Sequence, residues 1–171
     1  MKKLLLSLVF TVAAILPARA VYTGASAGYL VDSQEAYYAA RIGTALNATE
    51  GFGHNLELEF GYTETTENYA TAKLAPILFN YRAESSGPGK WVPYFGVGAG
   101  MAKVKVSFGS YSDDDASFAA QAFVGYSYKM SEAASLRFGA RYLYVGDTKL
   151  LNANVEVGDD VSLEAGFSLR F

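Results

Sequence analysis

The last eleven residues, 161–171, alternate without a break. Val161, Leu163, Ala165, Phe167, Leu169 and Phe171 form one set, and Ser162, Glu164, Gly166, Ser168 and Arg170 the other. Successive side chains of a strand point to opposite faces, so this stretch predicts a strand with one apolar and one polar face. The pattern recurs upstream. Strands are expected over 22–31 and over 36–46, where Tyr38, Ala40, Ile42, Thr44 and Leu46 oppose Arg41. A third sets Leu56, Leu58, Phe60 and Tyr62 against Glu57, Glu59 and Gly61. The fourth, 69–82, has a disturbed phase, because Lys73 shares the parity of Ile77, Phe79 and Tyr81, and Pro76 is a candidate bulge. The fifth, 91–106, places Gly96, Gly98 and Gly100 opposite Phe95, Val97, Ala99 and Met101. The sixth, 116–129, opposes Phe118, Ala120, Ala122, Val124, Tyr126 and Tyr128 to Ser117, Gln121, Gly125, Ser127 and Lys129. In the seventh, Leu136, Phe138, Ala140, Tyr142 and Tyr144 face away from Arg137, Gly139 and Arg141. Connections fall at 32–35, 47–54, 64–68, 84–90, 107–115, 130–133 and 146–160, the last being the longest.

A half-apolar final strand with an open edge would aggregate, and closure of a barrel removes the edge. Eight amphipathic strands of about ten residues, with aromatics near their ends, carry the signature of a membrane barrel. The expected fold is all-β: an eight-stranded antiparallel up-and-down transmembrane β-barrel. The polar face decides what is inside. It consists of small residues such as Gly61, Gly125, Gly139, Gly166, Ser162 and Ser168, punctuated by a few charges. A water-facing surface would carry many more Lys and Glu, whereas a narrow eight-strand interior needs small residues and a few large ones. The apolar set therefore meets lipid. Arg41, Glu57, Glu59, Arg137, Arg141, Glu164 and Arg170 become an interior charge network, which is tolerable only if paired and hydrogen-bonded.

Composition adds a compartment. Lys2 and Lys3 precede an apolar run over 4–16, Pro17 breaks it, and Ala18-Arg19-Ala20 ends it, as in a cleaved secretory signal over 1–20. The barrel domain is then 21–171. Without Lys2, Lys3 and Arg19, 11 basic residues stand against 17 acidic ones, a net charge of about −6, which argues against nucleic acid. There is no cysteine, hence no disulfide or thiolate chemistry.

The signal region, WVPYFGVGAG at 91–100, AAQAFVGYSYKMSEAASLRFGARYLYVGD at 119–147 and the terminal GFSLRF together resemble small outer-membrane barrels of the opacity-protein and OmpA/OmpX type. That resemblance implies a Gram-negative outer-membrane location, with outer-membrane lipid and lipopolysaccharide as surroundings. It also implies that Phe171, with Leu169 and Phe167, is the signal read by the barrel-assembly machinery. Family members include adhesins, serum-resistance factors and purely structural barrels, so function is not implied with the fold.

Candidate chemistry is sparse. His54, the single histidine, has no metal-site spacing and falls in an expected periplasmic turn. Asp113, Asp114 and Asp115, with Asp147, Asp159 and Asp160, gather carboxylates on outer loops; such oxygens can hold Ca²⁺ or Mg²⁺, but aspartate runs are usually solvated. The segment 150–157 alternates, with Leu151, Ala153, Val155 and Val157 on one side. It would extend the last two strands beyond the membrane and offer an edge for strand addition, or else protect the barrel mouth. Trp91, Tyr94, Tyr126, Tyr128, Tyr142 and Tyr144 suit interfacial girdles. Asn47-Ala48-Thr49 matches a sequon of no consequence in an inward turn. No cofactor is expected. The expected function is structural or adhesin-like, with a possible host or cell-surface ligand at the outer loops and a lumen plugged by charge pairs. The competing readings are a narrow porin-like channel, a lipid-modifying enzyme disfavoured by the missing His–Ser arrangement, and a soluble periplasmic carrier.

Overall fold

The structure is a computed structural model that describes residues 21–46, 49, 51–67, 70–109, 111–150, 153–155 and 157–171. The expected signal over 1–20 and the sequon residues Asn47 and Ala48 lie outside them. Ten strands follow in order: β1 (Val21–Leu30), β2 (Ala36–Ala45), β3 (Phe52–Glu67), β4 (Ala70–Ser85), β5 (Trp91–Phe108), β6 (Tyr111–Lys129), β7 (Ala134–Val145), β8 (Thr148–Leu150), β9 (Ala153–Val155) and β10 (Gly158–Arg170). Eight of them close a barrel in the order β1-β10-β7-β6-β5-β4-β3-β2, every pair antiparallel, and β8–β9 is a separate two-stranded sheet. The expected eighth strand is β10. It closes on β1 from Tyr22↔Arg170 to Leu30↔Ser162. Both chain ends of the barrel and the connections after β2, β4 and β6 share one rim, called the terminal end. The other connections form the loop end.

The outward face is an apolar belt. Ile42, Phe60, Phe79, Val97, Val124, Leu163 and Phe167 are among its exposed members. Aromatics mark its borders. Trp91 stacks against Tyr128 at 4.9 Å near the terminal end, and Tyr38, Tyr62 and Tyr144 lie outward near the loop end. Tyr94 does not belong to these girdles. Its parity is that of Gly96, so it points inward and is buried, over Gly125 and Gly139, where an added Cβ would stand 2.6 Å from its hydroxyl.

The strands at the loop end run further than the alternation predicted. The expected loop 107–115 is mostly hairpin, with β5 and β6 paired up to Phe108↔Tyr111. Pro76 makes no bulge. β4 keeps one unbroken register on β5 from Ala70↔Phe108 to Glu84↔Tyr94, and its register on β3 resumes unchanged after Ala75 and Pro76. A proline removes one ladder hydrogen bond without inserting a residue. Lys73 therefore keeps the outward parity of Ile77 and sits beyond the apolar belt, paired with Glu64 at 3.0 Å. The terminal-end turns are shorter than expected. β3 starts at Phe52 and β4 ends at Ser85, so His54 and Glu84 lie in strands.

Candidate functional site

The lumen holds the molecule's concentrated polar chemistry, and inward positions of all eight barrel strands build it. Two ionic clusters stack along the axis. The central one joins Glu59 and Glu164 to Arg41 and Arg141. Glu59 receives Arg41 Nε and Arg141 Nη1, each at 2.6 Å, and Glu164 pairs with Arg41 and Arg141, each at 2.9 Å. Ser26 donates to Glu164 at 2.9 Å, Asn80 to Glu59 at 3.3 Å, and Gln121 to Asn80 at 2.7 Å. Arg141 also lies over the Tyr37 ring at 4.9 Å. That tyrosine fits because it packs against Gly61, where any Cβ would collide with its hydroxyl.

Nearer the terminal end, Glu57 pairs with Arg82 at 2.7 Å and Arg137 at 3.3 Å, and accepts from the Tyr22 hydroxyl at 2.8 Å. Arg82 reaches on to Glu84 at 2.7 Å. Arg137 and Arg82 both lie over the Tyr94 ring, at 4.8 and 5.8 Å. Each cluster thus sets two guanidinium groups against two carboxylates, with the planar forks and ring faces that Arg uses and Lys cannot. A void of about 10 Å³ separates parts of the central cluster, lined by Arg41, Glu59, Arg137, Arg141 and Glu164. That is room for about one water.

Six of the seven expected network residues meet in these clusters. Arg170 does not. It is half-exposed at the terminal mouth, 3.6 Å from Glu84, because β10 ends there and a side chain beside the last pair opens onto solvent. It borders a cavity of about 270 Å³ together with Tyr22, Arg82, Glu84, Lys129 and Glu132. Arg82, Glu84, Tyr22, Tyr37 and Asn80 were missed. The signal for Arg82 was available: it shares the inward parity of Leu78 and Asn80 once Pro76 is denied a bulge.

Above the ionic clusters the lumen turns apolar. Leu30, Tyr37, Ala39, Leu78, Ala102, Val104, Ala119, Leu143 and Val145 point inward and are buried. The β8–β9 hairpin completes this layer. Leu150 is buried in it, and Val155 and Val157 pack against it. The hairpin does not extend β7 and β10; it forms its own sheet and folds against β6. Leu151 lies outside the described residues. Asp115 holds it, accepting from Thr148 Oγ1 at 3.0 Å and from the Lys149 amide at 3.1 Å. The Ser117 hydroxyl stands 2.8 and 2.9 Å from the carbonyls of Gly146 and Asp147.

The other aspartates are dispersed rather than gathered. Asp114 faces outward and pairs with Lys103 at 2.7 Å. Asp160 clamps the β1–β2 turn through the Asp32 and Ser33 amides and the Ser33 hydroxyl at 2.6 Å. Burial raises the Asp160 pKa, but these hydrogen bonds outweigh it and hold the carboxyl below its ordinary range. Asp113 shares the inward parity of Asp115, and Asp147 and Asp159 are exposed. Among the described residues, no three Asp, Glu or His side chains form a group able to hold a metal ion. His54 is half-buried on the outer wall of β3, stacked on Tyr81 and within 2.8 Å of Thr49 Oγ1. Phe167, Leu169 and Phe171 all stand exposed on the outward face.

A profile of the outer membrane protein beta-barrel domain matches residues 4–171. No curated protein matches the chain in sequence. Solved barrels match it in fold. Neisserial surface protein A superposes with a TM-score of 0.67 at 18% identity, over 89% of this chain and 96% of that one. The N-terminal barrel of Pseudomonas aeruginosa OprF gives 0.60 at 16%, over 89% and 97%. Ail, the attachment invasion locus protein of Yersinia pestis, gives 0.55 at 12%, over 89% and 97%. Ail has also been solved with the heparin analogue sucrose octasulfate.

Proposed function

This chain belongs to the outer membrane protein beta-barrel domain family, and on that premise we propose that it is a sealed barrel with a structural or surface-interaction role. The observation that carries this is the apolar layer. Leu78, Ala102 and Ala119 are fully buried inside the barrel, and the hairpin lays Leu150 on top of them. Ions crossing such a layer would lose their water without a polar replacement. The ionic clusters below it fill the remaining cross-section with neutralised charge. The useful surface is then the loop end, which in such barrels faces outward.

The loop end is acidic at its tips, with Asp32, Glu35, Asp147 and Asp159 exposed or half-exposed. That chemistry differs from what a sulfated ligand of the kind bound by Ail would need, and favours neutral or cationic partners on a host or neighbouring surface. Delivery by a signal over 1–20 and assembly through Phe167, Leu169 and Phe171 belong to the same proposal. A non-enzymatic role is supported by the neighbours of His54, which are hydroxyls without an acid at the terminal rim.

Planar-bilayer recording tests the seal. The refolded barrel is expected to give no steady ion-sized steps. Steady steps would favour the narrow-channel alternative, for which the terminal-end cavity is the one supporting feature, since it hydrates the lumen up to the ionic clusters.

A further inference from the structure

The eleven basic residues from 21 onward divide by type. Arg41, Arg82, Arg137 and Arg141 are inside, and every lysine is outside the ionic clusters. Three of the lysines converge. Register places Glu64 opposite Lys73, Lys73 opposite Lys105, and Lys105 opposite Asp114, a single row across four strands. Lys103 is the next outward residue of β5, toward the belt. Two like charges directly opposite on one face destabilise a sheet. Only part of this charge is neutralised: Glu64 takes Lys73 at 3.0 Å and Asp114 takes Lys103 at 2.7 Å. Lys105 has no ion-pair partner among the described residues.

The height of the patch matters as much as its charge. On β5 the outward positions read Trp91, Phe95, Val97, Ala99 and Met101, and then Lys103 and Lys105. On β4 they read Tyr81, Phe79, Ile77 and Ala75, and then Lys73. The lysines therefore begin where the apolar belt ends, with their stems able to lie on its upper border. This is the level of the lipid headgroups on the loop side of the membrane.

We infer that Lys73, Lys103 and Lys105 form a docking patch for the phosphomonoester groups of an outer-leaflet glycolipid. A dianionic phosphomonoester answers two lysines that face each other without an anion between them, which a singly charged phosphodiester answers less well. The inference rests on the loop end facing outward and is independent of whether the lumen is closed.

The test uses the whole barrel refolded into phosphatidylcholine vesicles, alone, with diphosphoryl lipid A, or with phosphatidylglycerol at equal added charge. The urea midpoint is followed by Trp91 fluorescence. Lipid A is expected to raise the midpoint more than phosphatidylglycerol does. Lys73→Gln/Lys105→Gln should keep the midpoint in plain phosphatidylcholine and lose the lipid A increment. Glu64→Gln/Asp114→Asn, which frees Lys73 and Lys103, should enlarge it. An increment that is absent, equal for both lipids, or retained without the two lysines overturns the inference. So does a double variant whose only effect is a lower midpoint in every vesicle. Conductance plays no part in the readout, so a channel would leave this result standing.

Discussion

Two storeys of one lumen are built by the same strands with opposite chemistry. On β7 the inward residues run Arg137, Gly139 and Arg141, then Leu143 and Val145. On β2 Arg41 is followed toward the loop end by Ala39 and Tyr37, and on β4 Leu78 stands above Asn80 and Arg82. The lower storey is directional. Each carboxylate needs its guanidinium partners in place, and the desolvation cost of the ions roughly consumes their attraction. The upper storey is non-directional and gains by removing apolar surface from water. In a barrel whose outer wall meets lipid, that interior is where burial from water contributes most. The ionic storey therefore sets the pairing of strands around the ring, and the apolar storey supplies much of the stability and the seal.

Breaking the ionic storey should have the largest effect. Glu59→Gln leaves Arg41 and Arg141 buried with Glu164 alone between them, and the expected loss is about 3–5 kcal/mol. Urea unfolding in detergent, read by the gel shift between boiled and unboiled protein, checks it. A loss below about 1 kcal/mol, the range of exposed pairs, would mean that water reaches this cluster freely. Truncating the apolar storey comes next. Leu78→Ala removes a fully buried side chain and should cost about 3 kcal/mol by loss of transfer energy plus a residual cavity. It should not create conductance while the hairpin stays docked, which bilayer recording would show. The outer wall is a third comparison. Leu163 lies level with Tyr29, toward the loop-end girdle, so Leu163→Arg should cost about 2 kcal/mol, the shallow end of the range for a cation on the lipid face. A neutral Leu163→Arg beside a destructive Ser168→Arg would mean that the faces are reversed.

The barrel itself was legible because alternation has a period of two and tolerates errors in strand length. Glu57, Glu59, Arg137 and Arg141 follow directly from it. The losses came where a rule was stopped early. Lys73 looked like a phase error because the strand was assumed to end with the membrane, and doubt about Pro76 then hid Arg82 four residues beyond Leu78. Tyr94 was assigned to a girdle by residue type although its parity matched Gly96. The apolar storey was readable in Leu143, Val145, Ala102 and Val104, which share parity with the inward arginines and glycines. It was overlooked because the inward set was identified by polarity rather than by position. The hairpin was not readable at all: its docking depends on Asp115 and Ser117 reaching across from β6, which no local pattern announces.

That hairpin offers the smallest and most selective way to separate the storeys. Asp115 is held below the ordinary aspartate value of 3.8, first by the Lys149 amide, then by the Ala116 amide and the Thr148 hydroxyl. A carboxyl whose folded pKa is depressed contributes stability above its unfolded value and loses it as pH falls through the folded value. The latch should therefore be intact at neutral pH and weaken only below about pH 4, while the buried arginine clusters keep the barrel closed. Hydrogen exchange at the amides of 148–150 should accelerate in that acid range with exchange on β7 and β10 unchanged. Asp115→Asn should show the accelerated exchange already at pH 7 and flatten the pH dependence, since an amide accepts more weakly and does not titrate. If β7 and β10 exchange rose in parallel with the hairpin, the apolar storey would be inseparable from the wall that carries it, and the two storeys would unfold as one unit.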